Sequence, residues 1–363
     1  VRALAAGWWG LDPAPARAGS YAKMSIDPMR GPVTRNAYAN PSTVLIFGSG
    51  RSGTTWLGRI FDALPQTIYR HEPDLVMTPQ GIPATAAFDN DDTVLPVVAA
   101  HIRAMTANRS VKVVGSRPVF RKAYRGEAAH VVRLGMIYGV RGAEWLTDRR
   151  IDSLQIPDLI PRSLKGDLTY VVKSVTGLPL LPLYAKARPA MPIVHMIRHP
   201  CAVVASLLRG VEAGKMPAPR LYSPYFRLPL ARERDLSTDD AAGMTAVETA
   251  AWRWTLANDT ALRGAPANAR VHVVRYEDMC AAPVEVVRSL VESAGLSWST
   301  SAQTFLTDVP RAGEEGGYHA VRKDPAETMA RWRRDLDADQ VATIRRIAAG
   351  SFAARYYDDL ADP

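Results

Sequence analysis

Cysteine is nearly missing: Cys201 and Cys280 are the only two in 363 residues. They lie far apart in sequence, which excludes a disulfide framework and a cysteine-based metal site. Such scarcity points to a reducing compartment, and the expectation is a cytoplasmic protein. No apolar run approaches the roughly 20 residues that a membrane-spanning helix requires. The opening Val1–Gly10 is too short for a secretory core. Basic residues outnumber acidic ones by 45 to 36, for a formal net charge of +9. They are nevertheless spread along the chain and never gathered into a stripe or tail. Without a zinc-finger, basic-zipper or aromatic RNA-binding signature, that charge suits a small anionic ligand better than nucleic acid. Internal repeats and low-complexity tracts are lacking too.

What remains is a chain with 47% hydrophobic residues, enough for a sizeable core. Residues 1–40 are rich in Ala, Gly and Pro and read as a loosely ordered leader, with Met24 a candidate start. Residues 41–363 read as one elaborated domain. Short β-branched runs at Thr43–Gly48, Ser110–Gly115, Leu168–Val175, Pro192–Arg198 and Arg270–Tyr276 alternate with helical patterns. The alternation predicts an α/β fold of three layers: a P-loop-type central parallel sheet with helices on both faces. Two inserts, about 115–165 and 211–240, match no motif. The first is expected to wall the acceptor pocket; the second is a lid or a plain surface loop.

The chemistry begins at Val44–Leu57, where four apolar residues feed a glycine-rich turn that opens onto a helical pattern. Gly48, Gly50 and Gly53 let successive backbone N–H groups face one point, and a following helix adds its positive N-terminal end, so the turn suits a phosphate. The spacing is that of a Walker A loop, but Thr54 stands where the lysine belongs. A triphosphate-hydrolysing enzyme relies on that lysine and on Mg²⁺, so the substitution argues against a P-loop kinase or NTPase. Arg51 places a cation inside the loop instead. A second anion site is spelled by Pro192–Gly210: a strand ending at Arg198, a helix started by Pro200, and Ser206 two turns on.

The words Arg51–Leu57, followed downstream by Arg198 and Ser206 eight residues apart, resemble the sulfotransferases that use 3′-phosphoadenosine 5′-phosphosulfate (PAPS). The resemblance implies that Ser49, Gly50, Arg51, Ser52, Gly53, Thr54 and Thr55 hold the 5′-phosphosulfate. It implies further that Trp56 stacks on adenine, unless Trp56 is simply a core residue. Arg198 and Ser206 would hold the 3′-phosphate, with Arg322 and Lys323 covering it, although Asp324 replaces the glycine usual after such a basic pair. No metal is required on this reading, because arginine, lysine and amides supply the charge.

Lys173, in Thr169–Pro179, looks like the lysine-bearing segment of the cytosolic members, where it would face the sulfonate oxygens; a strand-end lysine reaching solvent is the alternative. Those members carry a histidine base two residues later, and here that residue is Val175, which cannot accept a proton. The chain is in this respect more similar to carbohydrate-type sulfotransferases, which carry a glutamate about twenty residues beyond the loop. Glu72 occupies that place and is the expected base, provided burial raises its pKa toward neutrality; His71 and Asp74 are the fallback bases, and an ion pair with Arg70 or another surface arginine is the competing role. The implied reaction is in-line sulfuryl transfer from PAPS to a hydroxyl of a sugar, glycolipid or other natural product. A nucleotide-binding module without catalysis is the other alternative.

Overall fold

The computed structural model describes residues 42–77, 82, 92–148, 151, 153–164, 168–307 and 325–360. The leader and the pair Arg322 and Lys323 lie outside the described residues.

Five parallel strands form the centre: β1 (Ser42–Phe47), β2 (Thr67–His71), β3 (Thr169–Ser174), β4 (Ile193–Ile197) and β5 (Val271–Arg275). Their order across the sheet is β2-β3-β1-β4-β5, so the strand that feeds the glycine-rich loop is the middle one. Successive residues of a strand point to opposite faces. In β1, Val44 and Ile46 join one core cluster with Leu57, Ile60 and Val194, while Leu45 and Phe47 join another with Val98, Val172 and Leu181. Helix α1 (Thr54–Ala63) packs on the first face; α2 (Leu95–Ala107) and the helix Ala246–Gly264 pack on the second. The expected three-layer α/β architecture is therefore present, and burial on both faces explains why β1 reads as an unbroken apolar run.

Two local expectations need correction. Ser110–Gly115 is not a strand but a short helix, α3 (Val111–Val114), whose Val111, Val113 and Val114 are buried with Ile137, Val140 and Ile156. A short apolar run buried on all sides carries no period that separates strand from helix. Conversely, β2 holds Arg70 and His71 among its five residues, and those charges hid it.

The first insert contains the long α4 (Glu127–Thr147), and the second is partly packed: Leu228, Leu230, Ala231 and Leu236 are buried with Leu256. After β3 comes α5 (Leu181–Ala187), and after β4 comes α6 (Pro200–Glu212). Among the described residues no helix is long and apolar enough to cross a membrane.

Candidate functional site

Because all five strands run the same way, their C-terminal ends share one edge of the sheet, where α/β folds place ligands. The loop after β1 occupies the middle of that edge. Its glycines are required by geometry at two points. A Cβ on Gly48 would lie 2.5 Å from the Met196 carbonyl oxygen, and Gly53 has φ +99° with the Tyr276 ring 2.4 Å from where a Cβ would sit. Gly50, by contrast, faces open space, with nothing within 4 Å of a built Cβ. Arg51 also adopts a left-handed backbone, φ 73°, a conformation that phosphate-binding nests use, while the Ser52 amide donates to the Ser49 carbonyl at 3.1 Å.

Gly53 is the N-cap of α1 and offers no side chain, so the first-turn amides at Thr54 and Thr55 have no side-chain cap. Unsatisfied N–H groups at the positive end of a helix dipole form an anion receptor. The hydroxyls of Ser49 and Ser52 are buried without a hydrogen-bond partner. Trp56 is half-buried, edge-on to Tyr276 at 6.2 Å between centroids.

The second expected phosphate site lies beside the first. Arg51 Nε donates to Ser206 Oγ at 3.0 Å, and Arg198 Nη1 donates to the Arg51 carbonyl at 3.0 Å. Arg198 Nη2 reaches the Thr328 carbonyl at 2.9 Å, and the guanidinium lies 4.4 Å from the Tyr276 ring centroid. Its Nε is buried and unpartnered. Trp254, from Ala246–Gly264, donates its indole N–H to the Arg198 carbonyl at 2.9 Å and so fixes the strand end. The motif words separated by nearly 150 residues are thus in direct contact.

On the other side of β1, β2 and β3 bring Glu72 and Lys173 together. His71 pairs in register with Lys173, and the Glu72 amide donates to the Lys173 carbonyl at 2.8 Å. Glu72 has φ 47°, a left-handed conformation that turns its carboxylate back onto Lys173 Nζ in a direct ion pair. Lys173 is 1% exposed, so it does not reach solvent. Burial, the largest single cause, would raise the Glu72 pKa, but the Lys173 ammonium together with His71 and Lys112 outweighs it and holds the pKa below the ordinary carboxylate value. The expected upward shift is therefore absent with this pair closed. The competing partner is also corrected, since Arg70 pairs with Asp158 through both guanidinium nitrogens, at 3.1 and 2.6 Å.

The fallback bases are otherwise engaged. His71 Nδ1 is 3.0 Å from the Tyr69 hydroxyl, and burial, helped by Lys173, lowers its pKa to about 4, leaving a neutral and weakly basic ring. Asp74 accepts from Ser174 Oγ at 2.6 Å, from Thr176 Oγ1 and from the Gly177 amide at 3.2 Å, which makes it the clasp of the turn after β3. Sequence reasoning missed the Glu72–Lys173 pair and the role of Tyr276. The aromatic residue immediately after β5 was the available signal for the latter.

Among the described residues no group of three or more His, Cys, Asp or Glu side chains could hold a metal ion. Among solved structures the chain is similar to the sulfotransferase domain of an olefin synthase from Synechococcus PCC 7002, with 16% identity, 88% of this chain and 98% of that one covered, and a TM-score of 0.40. It is also similar to sulfotransferase STF1 from Mycobacterium tuberculosis, with 15% identity, coverage of 81% and 77%, and a TM-score of 0.36. A third similar structure is mouse sulfotransferase SULT7A1 complexed with PAP, with 11% identity, coverage of 85% and 84%, and a TM-score of 0.36. No curated protein matches. The model of the sulfotransferase family, in contrast, matches residues 41–300, well over half of the chain. The chain belongs to the sulfotransferase family and is an enzyme of sulfuryl transfer.

Proposed function

We propose that this enzyme moves the sulfuryl group of PAPS to a hydroxyl of a sugar, glycolipid or glycosylated natural product in the cytoplasm, with Glu72 as the base. The observation that carries the reading is the contact of Arg51 with Ser206 and of Arg198 with the Arg51 carbonyl. Two anion-seeking groups in contact support a reading in which they serve the two ends of one adenosine 3′,5′-diphosphate. In this reading the amides from Ser49 to Thr55 and the hydroxyls of Ser49, Ser52, Thr54 and Thr55 hold the 5′-phosphate. Arg198 and Ser206 hold the 3′-phosphate, Trp56 supplies a face for the adenine, and Arg322 with Lys323 closes over it. The open space above Gly50 and the unpartnered serine hydroxyls fit such an anion.

Lys173 and Glu72 give the reaction its order. Closed on each other, the two charges cancel, and Glu72 is too acidic to be an effective base. A sulfonate seated beyond the β1 loop offers Lys173 a second anion. As Lys173 turns to it, Glu72 loses the charge that depressed its pKa while keeping the burial that raises it. Glu72 then accepts the hydroxyl proton of the acceptor as the acceptor oxygen bonds to sulfur. The bond from sulfur to the 5′-phosphate oxygen breaks on the opposite side, and its electrons remain on the leaving diphosphate. Arg51 and Lys173 stabilise the negative charge that spreads over the transferring oxygens.

The test is a mass-spectrometric screen of hydroxyl-bearing glycans, glycolipids and small natural products incubated with PAPS and no divalent metal. Gain of one sulfuryl group on a sugar-bearing acceptor is expected. Transfer confined to simple phenols or steroids would overturn the acceptor class. No transfer to any acceptor, with PAP still bound tightly, would overturn the catalytic assignment.

A further inference from the structure

A second concentration of positive charge lies away from the strand ends, along the free edge of β2. Ile68, Tyr69 and Arg70 of this outer strand line a cavity of about 30 Å³, together with Asp62, Lys122, Arg125, Arg133 and Asp158. That is two to three times the roughly 10–15 Å³ that one water requires. Arg59 borders it, 4.9 Å from the ring centroid of Phe120 and 5.7 Å from that of Tyr69, both lining residues.

The charges do not balance. Arg59, Arg70, Lys122, Arg125 and Arg133 are each at most 8% exposed, and among the described residues the carboxylates that pair with them are Asp62 and Asp158. Asp158 is shared by Arg70 at 2.6 Å and Arg133 at 3.4 Å, while Arg125 reaches only its backbone carbonyl, at 2.9 Å. Asp62 is shared by Arg59 and by Lys122 at 2.9 Å. Five buried cations thus face two carboxylates, and an uncompensated buried charge is strongly destabilising. Two guanidiniums also keep buried nitrogens with no partner: Nε and Nη1 of Arg133, and Nε and Nη2 of Arg59. Ser116, Val119 and Phe120 are the lining residues that keep some exposure, which gives the cavity its side toward solvent.

We propose that this cavity binds a tetrahedral oxyanion, of sulfate or phosphate chemistry, held by the free nitrogens of Arg133 in the field of Arg59, Lys122 and Arg125. The anion supplies the negative charge that the cluster lacks. Its place matters for the reading above, on which its functional meaning rests: β2 runs from the cavity to Glu72 in two residues, about 7 Å. Tyr69 and His71 link the two by a 3.0 Å hydrogen bond, with His71 Nε2 4.0 Å from Glu72 Oε2. The same chemistry is available from a free inorganic ion or from a sulfate or phosphate already carried by the acceptor.

The experiment is thermal unfolding of the full chain saturated with PAP, so that the phosphate-gripping loop and Arg198 are filled. Millimolar sodium sulfate is titrated against sodium chloride at equal ionic strength, in wild type and in Arg133→Met. A sulfate-specific rise of about 3–6 °C in wild type near a hundredfold excess over Kd, lost in the variant, is expected. An equal response in both proteins, the mark of general exclusion of sulfate from protein surfaces, overturns the site. Methyl sulfate separates the two sources: a shift equal to that of sulfate means the mouth admits an anion carried on a larger molecule, and no shift means a resident inorganic ion. If Arg133→Met fails to fold, crystals of wild type with PAP soaked in selenate decide. Anomalous density within hydrogen-bonding reach of Arg133 Nη1 supports the site, and water-level density there overturns it. Failure of PAP to bind would strike at the donor assignment and leave the selenate result standing.

Discussion

The two sides of β1 handle positive charge in opposite ways. Toward β4, Arg198 is bonded to two backbone carbonyls and stacked on Tyr276, and pairs with no carboxylate among the described residues. Carbonyl dipoles orient a guanidinium without neutralising it, so this side stands ready for an anion. Toward β2, the buried Lys173 is closed onto Glu72, and an anion arriving there must open an existing pair. One side is a preformed receptor and the other a latch. In the proposed mechanism, binding of the nucleotide falls to the first and control of proton transfer to the second.

The largest effect is expected on the latch side. Glu72→Gln removes the proton acceptor and lowers turnover by about 10²–10⁴-fold, the range for a general base. Its affinity for PAP by calorimetry is expected to match wild type. Unchanged turnover would break the contrast. On the receptor side, Gly48→Ala is expected to destabilise by about 1–3 kcal/mol in urea unfolding and to abolish PAP binding, because the new Cβ meets a backbone oxygen that cannot swing away.

Lys173→Met sharpens the comparison through pH. With the ammonium gone, burial is no longer offset by its largest opponent and lifts the Glu72 pKa, so the acid limb of kcat/KM should move upward. A limb that stays in place would mean that Lys173 does not govern Glu72. The smallest effect compares one histidine from each side, the half-buried His71 and the buried His195. His71 and His195 each have a folded pKa lowered to about 4, chiefly by burial. The unfolded chain therefore takes up their protons first as pH falls. The stability they allow is complete above the unfolded value near 6.5 and is lost between there and about 4, at up to about 1.4 kcal/mol per pH unit for each. His195→Gln and His71→Gln should each flatten that slope in urea unfolding; unchanged slopes would remove these groups as the cause.

How much was legible follows from distance along the chain. The loop and the Arg198–Ser206 spacing could be read because each demand falls within a dozen residues: glycines at a turn, proline at a helix start, serine two turns later. The Glu72–Lys173 pair joins residues 101 apart, and the Arg70–Asp158 pair joins residues 88 apart. No periodicity carries such information, so the sequence offered Arg70 as the nearest partner for Glu72 when each charge has its own distant one. Strand β2 was obscured for the same reason, since its buried arginine makes sense only once Asp158 is beside it. The buried valines of α3 show the converse, a local apolar run whose environment alone decides its form.

Calorimetry of PAP and of adenosine 5′-phosphate, which lacks the 3′-phosphate, tests most directly whether one ligand spans both anion sites. Wild type without Mg²⁺ should prefer PAP by about 10–100-fold, the worth of one charge-assisted contact, and Arg198→Met should bring the two affinities together. Equal binding of both nucleotides by wild type, or a preference that survives the substitution, would contradict the account.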